Sequence, residues 1–373
     1  MHPPIKKLWR ITAVGLCVGL ALALMLPGAY SIRAQDAATL TPTTEAGPQV
    51  TPIPATPTSA APPLSTSQLA LLSQIDAANL DQSNWQTYRT VSFNNASFVE
   101  TLTNFADGSI LSQRQVDTNG LITTDVQGDI HSPTHSQNSL MTVERIERSS
   151  FSAGTPTTEQ YTLLVEARYI NSRLYVQAIR TGGSETLPAM PPAGWTDITD
   201  SPDQFPALEV INLRQYLPTL AQTSGTNPLT STDWVSVVQN TPLRDLIADI
   251  RQEQPETFLD GPFAGQTFNK VIVQLDPAAV VRAAFVGRSN VDALVAAFVN
   301  EGVDMSLTIW LDQSNSRRVR EQYVFVIQGS PTPESFGYAP GDIGEGTSIN
   351  VIFSLESDIT YTANAPVNIQ VPQ

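Results

Sequence analysis

The run from Thr267 to Gly329 constrains the fold most, because it interleaves two incompatible hydrophobic periods in one stretch. Thr267 to Leu275 is rich in β-branched residues and alternates, with Phe268, Lys270, Ile272 and Gln274 against Thr267, Asn269, Val271 and Val273, which is the period of a strand. Asp276-Pro277 then reads as a helix start: a carboxylate able to accept from free N–H groups, followed by a residue whose fixed φ and missing N–H suit the first helical position. The spacing predicts a helix to about Phe285. After Gly287, Asn290 is a candidate cap for a second helix carrying Val291, Leu294, Val295 and Phe298 at i, i+3, i+4, i+7, closed by Gly302. Strand alternation resumes over Ser306 to Asp312, and a turn at Gln313 to Ser316 returns the chain through Val319 and Tyr323 to Ile327. A sheet interrupted by amphipathic helices follows, an α+β chain.

The rest of the chain extends this pattern on the strand side. Leu69, Leu72 and Ile75 form one helical stripe, and Trp85 and Tyr88 lead into a strand with Val91 and Phe93. Asn119-Gly120 between Ile110 to Val116 and Leu121 to Val126 predicts a two-residue hairpin turn. Leu140 to Ile146, Tyr161 to Tyr169 and Arg173 to Ile179 continue the series, with Asn171-Ser172 as another tight turn, so the sheet is expected to be antiparallel. Leu213, Leu217 and Leu220 sit at helical spacing beside Pro218. Thr241-Pro242 predicts a further helix with Leu243, Leu246, Ile247 and Ile250 on one face. Ser348 to Leu355 and Val367 to Val371 read as closing strands.

Ahead of this region lie two segments that are not part of the folded domain. Residues 1–34 place Lys6, Lys7 and Arg10 before an apolar run, Ile11 to Leu26, ended by Pro27 and small residues, the pattern of a signal peptide. The expected location is therefore extracytoplasmic, either secreted or held at the envelope by residues 11–26 as an uncleaved anchor. Residues 35–65 are almost all Thr, Pro, Ala and Ser and read as an extended spacer, leaving 66–373 as one domain.

Cys17 is the single cysteine and lies inside the apolar run, so a mature chain would form no disulfide and no thiolate metal site. Residues 1–34 carry four basic and no acidic residues, leaving 16 basic against 35 acidic beyond them. That charge repels phosphate backbones, and no nucleic acid partner is expected.

Catalytic patterns are sparse, and no enzyme activity and no cofactor are expected. His131, His135 and Asp129 are separated by Pro133, which forbids a regular helix, and read as an exposed polar loop rather than a metal site. There is no Gly-x-Ser-x-Gly elbow to accompany either histidine. Asp117-Thr-Asn119-Gly120 resembles the start of a calcium loop without its later ligands. Pairs such as Asp197 and Asp200, or Glu144 and Glu147, are what an acidic chain produces by chance. Trp310 is expected in a core or cavity wall, and Arg317, Arg318 and Arg320 on a solvated face.

Several of these elements resemble the LolA-type and LppX/LprG-type lipid carriers of bacterial envelopes. The residues concerned are the early helix into Trp85 and Tyr88, Glu256-Thr-Phe-Leu-Asp-Gly261, Leu275-Asp276-Pro277, Leu307-Thr-Ile-Trp-Leu-Asp312 with Arg318 and Arg320, and Ser357-Asp358 to Ala365-Pro366-Val367-Asn368-Ile369. The chain departs from the pattern in lacking a lipidation cysteine and in extra residues over 181–206 and 330–346. The resemblance implies a curved antiparallel β half-barrel, with amphipathic helices covering its concave face and acyl chains of a lipid or lipoprotein held between the layers. Each buried methylene is worth about 0.8 kcal/mol, so acyl chains need no polar motif to bind. The cavity candidates are Leu213, Leu217, Leu243, Leu246, Ile247, Ile250, Val291, Leu294, Val295 and Phe298. The alternative, similar to LolA-like sensor modules of the envelope stress response, is an extracytoplasmic sensor with a filled core and an envelope protein as partner.

Overall fold

Long strands built on strict two-residue alternation set the architecture. A computed structural model describes residues 64–83, 85–127, 136–151, 157–183, 190–200, 234–299, 302–336, 338, 343–344 and 346–372. Helix α1 (Thr66–Ser83) leads into strands β1 (Thr87–Asn104), β2 (Ile110–Gln127), β3 (Ser136–Phe151), β4 (Thr157–Ile170), β5 (Arg173–Gly182) and the short β6 (Thr196–Asp197). Helix α2 (Trp234–Asn240) and a 3₁₀ turn (Leu243–Asp245) precede β7 (Ile247–Gln252), β8 (Glu256–Thr257) and β9 (Thr267–Leu275). Two helices, α3 (Pro277–Ala284) and α4 (Val291–Phe298), then β10 (Asp304–Asp312), β11 (Arg318–Gly329), one helical turn α5 (Pro333–Phe336) and β12 (Thr347–Ala363) complete the order.

The strands form one sheet in the order β6-β5-β4-β3-β2-β1-β12-β11-β10-β9-β7, with β8 also on β9. Every pairing is antiparallel, and β1 sits between β2 and β12 over nearly its whole length, so the chain's first and last strands are central neighbours. The order is open: β6 and β7 are its two ends. An α+β chain dominated by antiparallel sheet is thus what the sequence pattern predicts.

Alternation assigns the two faces. On β12, Ile349, Val351, Phe353, Leu355, Ser357, Ile359 and Tyr361 are buried while the residues between them are exposed or half-buried. The same inward face carries Val271, Val273 and Leu275 of β9, Leu307 and Ile309 of β10, and Tyr323, Phe325 and Ile327 of β11. Leu72, Ile75 and Ala78 of α1, Trp234 and Val238 of α2, Val280 and Val281 of α3, and Leu294 and Phe298 of α4 join this one buried cluster. Leu69, expected on the α1 stripe, is half exposed. The opposite face carries a small aromatic cluster of Phe258, Phe268, Trp310 and Val319.

Several local expectations are met. Asp276 Oδ1 accepts from Ala278 N at 2.9 Å and starts α3. Asn171 and Ser172 have φ of 52° and 62°, the doubly left-handed geometry of a tight hairpin turn between β4 and β5. Asn290 precedes α4, although its side chain caps nothing and its Nδ2 reaches Ser335 O at 3.5 Å.

Three expectations are overturned. Asn119-Gly120 is not a turn: both residues lie inside the 18-residue β2, because β1 and β3 pair it on both sides and supply backbone hydrogen bonds throughout. No strand runs over Val367 to Val371. The helix expected over Thr241 to Ile250 is a 3₁₀ turn followed by β7, so Leu243, Leu246, Ile247 and Ile250 share no helix face. Their spacing has another cause. The register of β7 on β9 shifts between Ile247 and Asp249, Ala248 being the extra residue, and this bulge lets Ile247 and Ile250, three apart, both face inward opposite Leu275 and Val273.

Gly329 shows how closely helix and sheet approach: a Cβ there would stand 2.1 Å from Ala297 O and 2.7 Å from Phe298 Cδ1. Gly329→Ala is expected to cost about 1–3 kcal/mol by forcing α4 off β11, read as a lowered urea midpoint. A second test concerns Glu100, buried on β1, where Tyr338 donates a hydrogen bond to it from the segment before β12. Burial raises its pKa above the ordinary value despite that bond and the nearby Arg114. A raised carboxylate destabilises the native state increasingly as pH climbs from the unfolded pKa through the folded one, so Glu100→Gln should flatten the loss of stability expected as pH rises above the ordinary carboxylate range.

Candidate functional site

One carboxylate, one guanidinium and two tyrosines on β11 and β12 would be unremarkable on a solvated strand; here they converge under the helices. The register of β10 on β11 shifts between Trp310 and Leu311: Trp310 opposes Arg320, and Leu311 opposes Arg318, which leaves Val319 as an extra residue. Simple alternation from Glu321 and Tyr323 would point residue 319 inward. The bulge instead sends Val319 outward to Trp310 and turns Arg318 inward, beside Glu321.

The Arg318 and Glu321 side chains are 8% and 1% exposed and form an ion pair through Arg318 Nη1 and Glu321 Oε1. Glu321 Oε2 accepts from Tyr361 Oη at 2.6 Å and Tyr323 Oη at 2.9 Å. Gln239 Nε2, on α2, lies 3.2 Å from Tyr361 Oη and 3.4 Å from Glu321 Oε2, and the Arg318 guanidinium sits 5.9 Å from the Tyr361 ring centre. Burial, then the Glu321 carboxylate, pushes both tyrosine hydroxyls well above their usual pKa, so they are fixed as neutral donors. Burial opposes the Arg318 charge most strongly, but Glu321, Tyr361 and Tyr323 together outweigh it and the guanidinium's pKa is raised. Arg318 Nε alone has no hydrogen-bond partner among the described residues.

This network forms the inner wall of a cleft of about 210 Å³ between α1, the end of α2 and strands β10 and β11. Buried Ile75, Val238, Leu243, Leu307 and Ile309 make its apolar base; exposed Asp76, Asn79 and Asn240 stand at its rim. α1 is positioned over it by Gln68 Nε2, which donates to Asp249 Oδ1 at 2.7 Å, and by Asp81, which accepts from Arg317 Nε and Trp85 Nε1 at 2.9 Å each. Burial alone would raise the Asp81 pKa, but the bonds from Arg317 and Trp85 hold it below its ordinary value. The cleft therefore combines an alkyl-compatible base with a polar wall whose charges cancel.

Of Arg317, Arg318 and Arg320, expected on a solvated face, only Arg318 is buried; Arg317 and Arg320 stay half-exposed, each held by a partner. Arg317 is tied to Asp81 and lies 5.6 Å from the Trp85 ring centre; Arg320 pairs with Asp358, its Nε 2.8 Å from Oδ1, and stacks 4.9 Å from Trp310 and 5.2 Å from Phe258. Trp310 is buried, but on the outer face with Phe258 and Phe268 rather than toward the helices.

Of the cavity candidates, Leu243 lines the cleft. Leu246, Ile247, Ile250, Leu294 and Phe298 are closed into the main core, against which Val291 and Val295 pack half-buried. Leu213 and Leu217 lie outside the described residues, as do Asp129, His131 and His135. Asp117 is part of β2 and accepts from Ser97 Oγ at 2.8 Å and Gln115 Nε2. Among the described residues no group of three or more His, Cys, Asp and Glu is placed to hold a metal ion. The sequence signal for the Arg318 network was faint: an i, i+3 pair in a strand lies on opposite faces unless a bulge intervenes.

No family model matches the chain, and no curated protein matches it. Among solved structures it is similar to a β-barrel-like protein of a domain of unknown function from Brucella abortus, at 8% identity and TM-score 0.19 over 73% of this chain and 97% of that one. It is also similar to the outer membrane protein OprG from Pseudomonas aeruginosa, at 6% identity and TM-score 0.18 over 76% of this chain and 99% of that one. Likenesses this slight carry no argument about fold or function. Among the described residues no helix is long and apolar enough to cross a membrane.

A buried pair of this kind makes a sharp energetic prediction. Glu321→Leu alone strands the Arg318 charge and should cost about 3–5 kcal/mol, whereas adding Arg318→Met should recover most of that loss. Chemical denaturation of the two variants and the wild type gives the comparison; equal destabilisation by single and double variants would show that the pair is not the element at stake.

Proposed function

We propose that the chain is an exported, non-enzymatic protein that binds a lipid or lipoprotein acyl chain for transport within the cell envelope. The fold that goes with this reading is a LolA/LppX/LprG-like half-barrel, curved so that its helices cover a concave face. The observation that supports it is the cleft beside Arg318 and Glu321: apolar side chains at its base, and a neutralised polar wall at its inner end, in the gap between helices and sheet. Such a site suits an amphiphile, with alkyl carbons on Ile75, Leu243 and Ile309 and a polar group toward the network. Its 210 Å³ falls below the roughly 300–1,000 Å³ typical of small-molecule sites, so as it stands it accepts one alkyl segment. A longer chain requires α1 or α2 to move away from the sheet. Secretion, or retention at the envelope through residues 11–26, follows from the leading apolar run.

The second reading is an extracytoplasmic sensor or interaction domain. Its support is the closed packing of Leu246, Ile250, Leu294 and Phe298, which leaves side chains where a large cavity would need space.

Native mass spectrometry of the full chain, purified without detergent and then incubated with phospholipid vesicles, separates the two. A bound mass in the lipid range, lost in Leu243→Trp with the thermal midpoint unchanged, is expected for the carrier. An apo mass throughout, or a folded Leu243→Trp protein that takes up lipid like the wild type, would favour the filled-core sensor.

A further inference from the structure

Beyond the cleft wall, the inward face of the central strands carries uncharged polar side chains where an apolar core would be expected. Asn94 on β1 stands between Gly120 on β2 and Ser357 on β12, and Thr118 is two residues along β2 from Gly120 on the same face. Ser357 in turn opposes Tyr323 of the cleft wall. Alternation along β1 and β12 puts Asn94 and Ser357 on the side of Phe98 and Leu355, not toward solvent. Asn94 is 2% exposed, and Thr118 and Ser357 are fully buried. Yet Asn94 Nδ2 and Oδ1, Thr118 Oγ1 and Ser357 Oγ have no hydrogen-bond partner among the described residues.

An orphaned buried polar atom costs the full desolvation of that atom, and buried polar side chains are otherwise paired almost without exception. Four such atoms on three neighbouring strands, beside a residue with no side chain, are the pattern of a site whose partner comes from outside the chain. We infer that this inward face of β2, β1 and β12 receives the polar head of the amphiphile proposed for the cleft, and that the head is uncharged and bears hydroxyl or ester oxygens. The inference rests on the lipid-binding reading. The chemistry of the patch selects the class: an amide and two hydroxyls both donate and accept, but supply no charge. The charged groups on this face already face each other, Arg318 with Glu321 across Tyr323 and Arg114 with Glu100 farther along β2 and β1, so an anionic or cationic head would be buried without a counter-ion of its own.

Monolauroylglycerol and laurate share an alkyl chain and differ in the head, and their binding to the full chain by native mass spectrometry and thermal shift tests the assignment. The wild type should prefer the glyceride by about tenfold, the scale of one or two buried hydrogen bonds. In Thr118→Val/Ser357→Ala the ratio should fall to about one with laurate binding unchanged, while the thermal midpoint without ligand holds or rises, since orphaned polar atoms have been removed. Equal wild-type affinities for the two amphiphiles, or a folded double variant that keeps the preference, would mean that ordered water alone fills the patch. Binding of neither amphiphile by folded wild type would overturn the lipid reading and the head-group assignment together, an outcome distinct from equal binding of both.

Discussion

Neutralisation of Arg318 by Glu321, inside a layer otherwise built from aliphatic and aromatic side chains, is the interaction on which the arrangement of β11, β12 and α2 depends. A guanidinium taken out of water must be paired and its partner's oxygens must be saturated. Glu321 meets the first need, and Tyr323, Tyr361 and Gln239 meet the second by covering Glu321 Oε2. Three elements are thereby held in one register, and the end of α2 is set where a cleft remains between it and α1.

The bulge at Val319 makes that pairing available. One inserted residue divides β11 into a part whose odd-numbered residues face the helices and an end where Arg318 does. The same insertion supplies Val319 to the outer cluster, where Arg320, neutralised by Asp358, lies across Trp310 and Phe258. Opposite faces of the sheet are thus each closed by an arginine on an aromatic surface, two residues of chain apart. Cation–π contact and ion pairing together hold Arg318 in the interior and Arg320 flat against the outer face.

Polarity on the inner face is graded along the sheet. Toward β9 and β10 it is aliphatic, and on the neighbouring end of β11 helix α4 packs so closely that Gly329 admits no Cβ. Toward β1 and β2 it bears Asn94, Thr118 and Ser357, and between the two lies the Arg318 network with its cleft. A filled core and an open cleft therefore belong to the same sheet.

The amino-acid sequence by itself determined those features that depend on chemistry between near neighbours. Asp276-Pro277 starts a helix because carboxylate and imide ring act within one turn; Asn171-Ser172 turns the chain because β4 and β5 flank it alone. The alternation of Leu307, Ile309 and Leu311 identified a strand and its inward face. Tertiary structure decided whatever required a partner strand. Asn119-Gly120 stays extended because β1 and β3 saturate its backbone from both sides, a competition that no local window contains. Ile247 to Ile250 misleads because a bulge brings residues three apart onto the same face of a strand, which in a sequence is indistinguishable from helical spacing, and a second bulge pairs Arg318 with Glu321 in the same way. Bulges are set by register against β9 and β10, so the cleft wall and its buried charge pair came into being only when the sheet assembled.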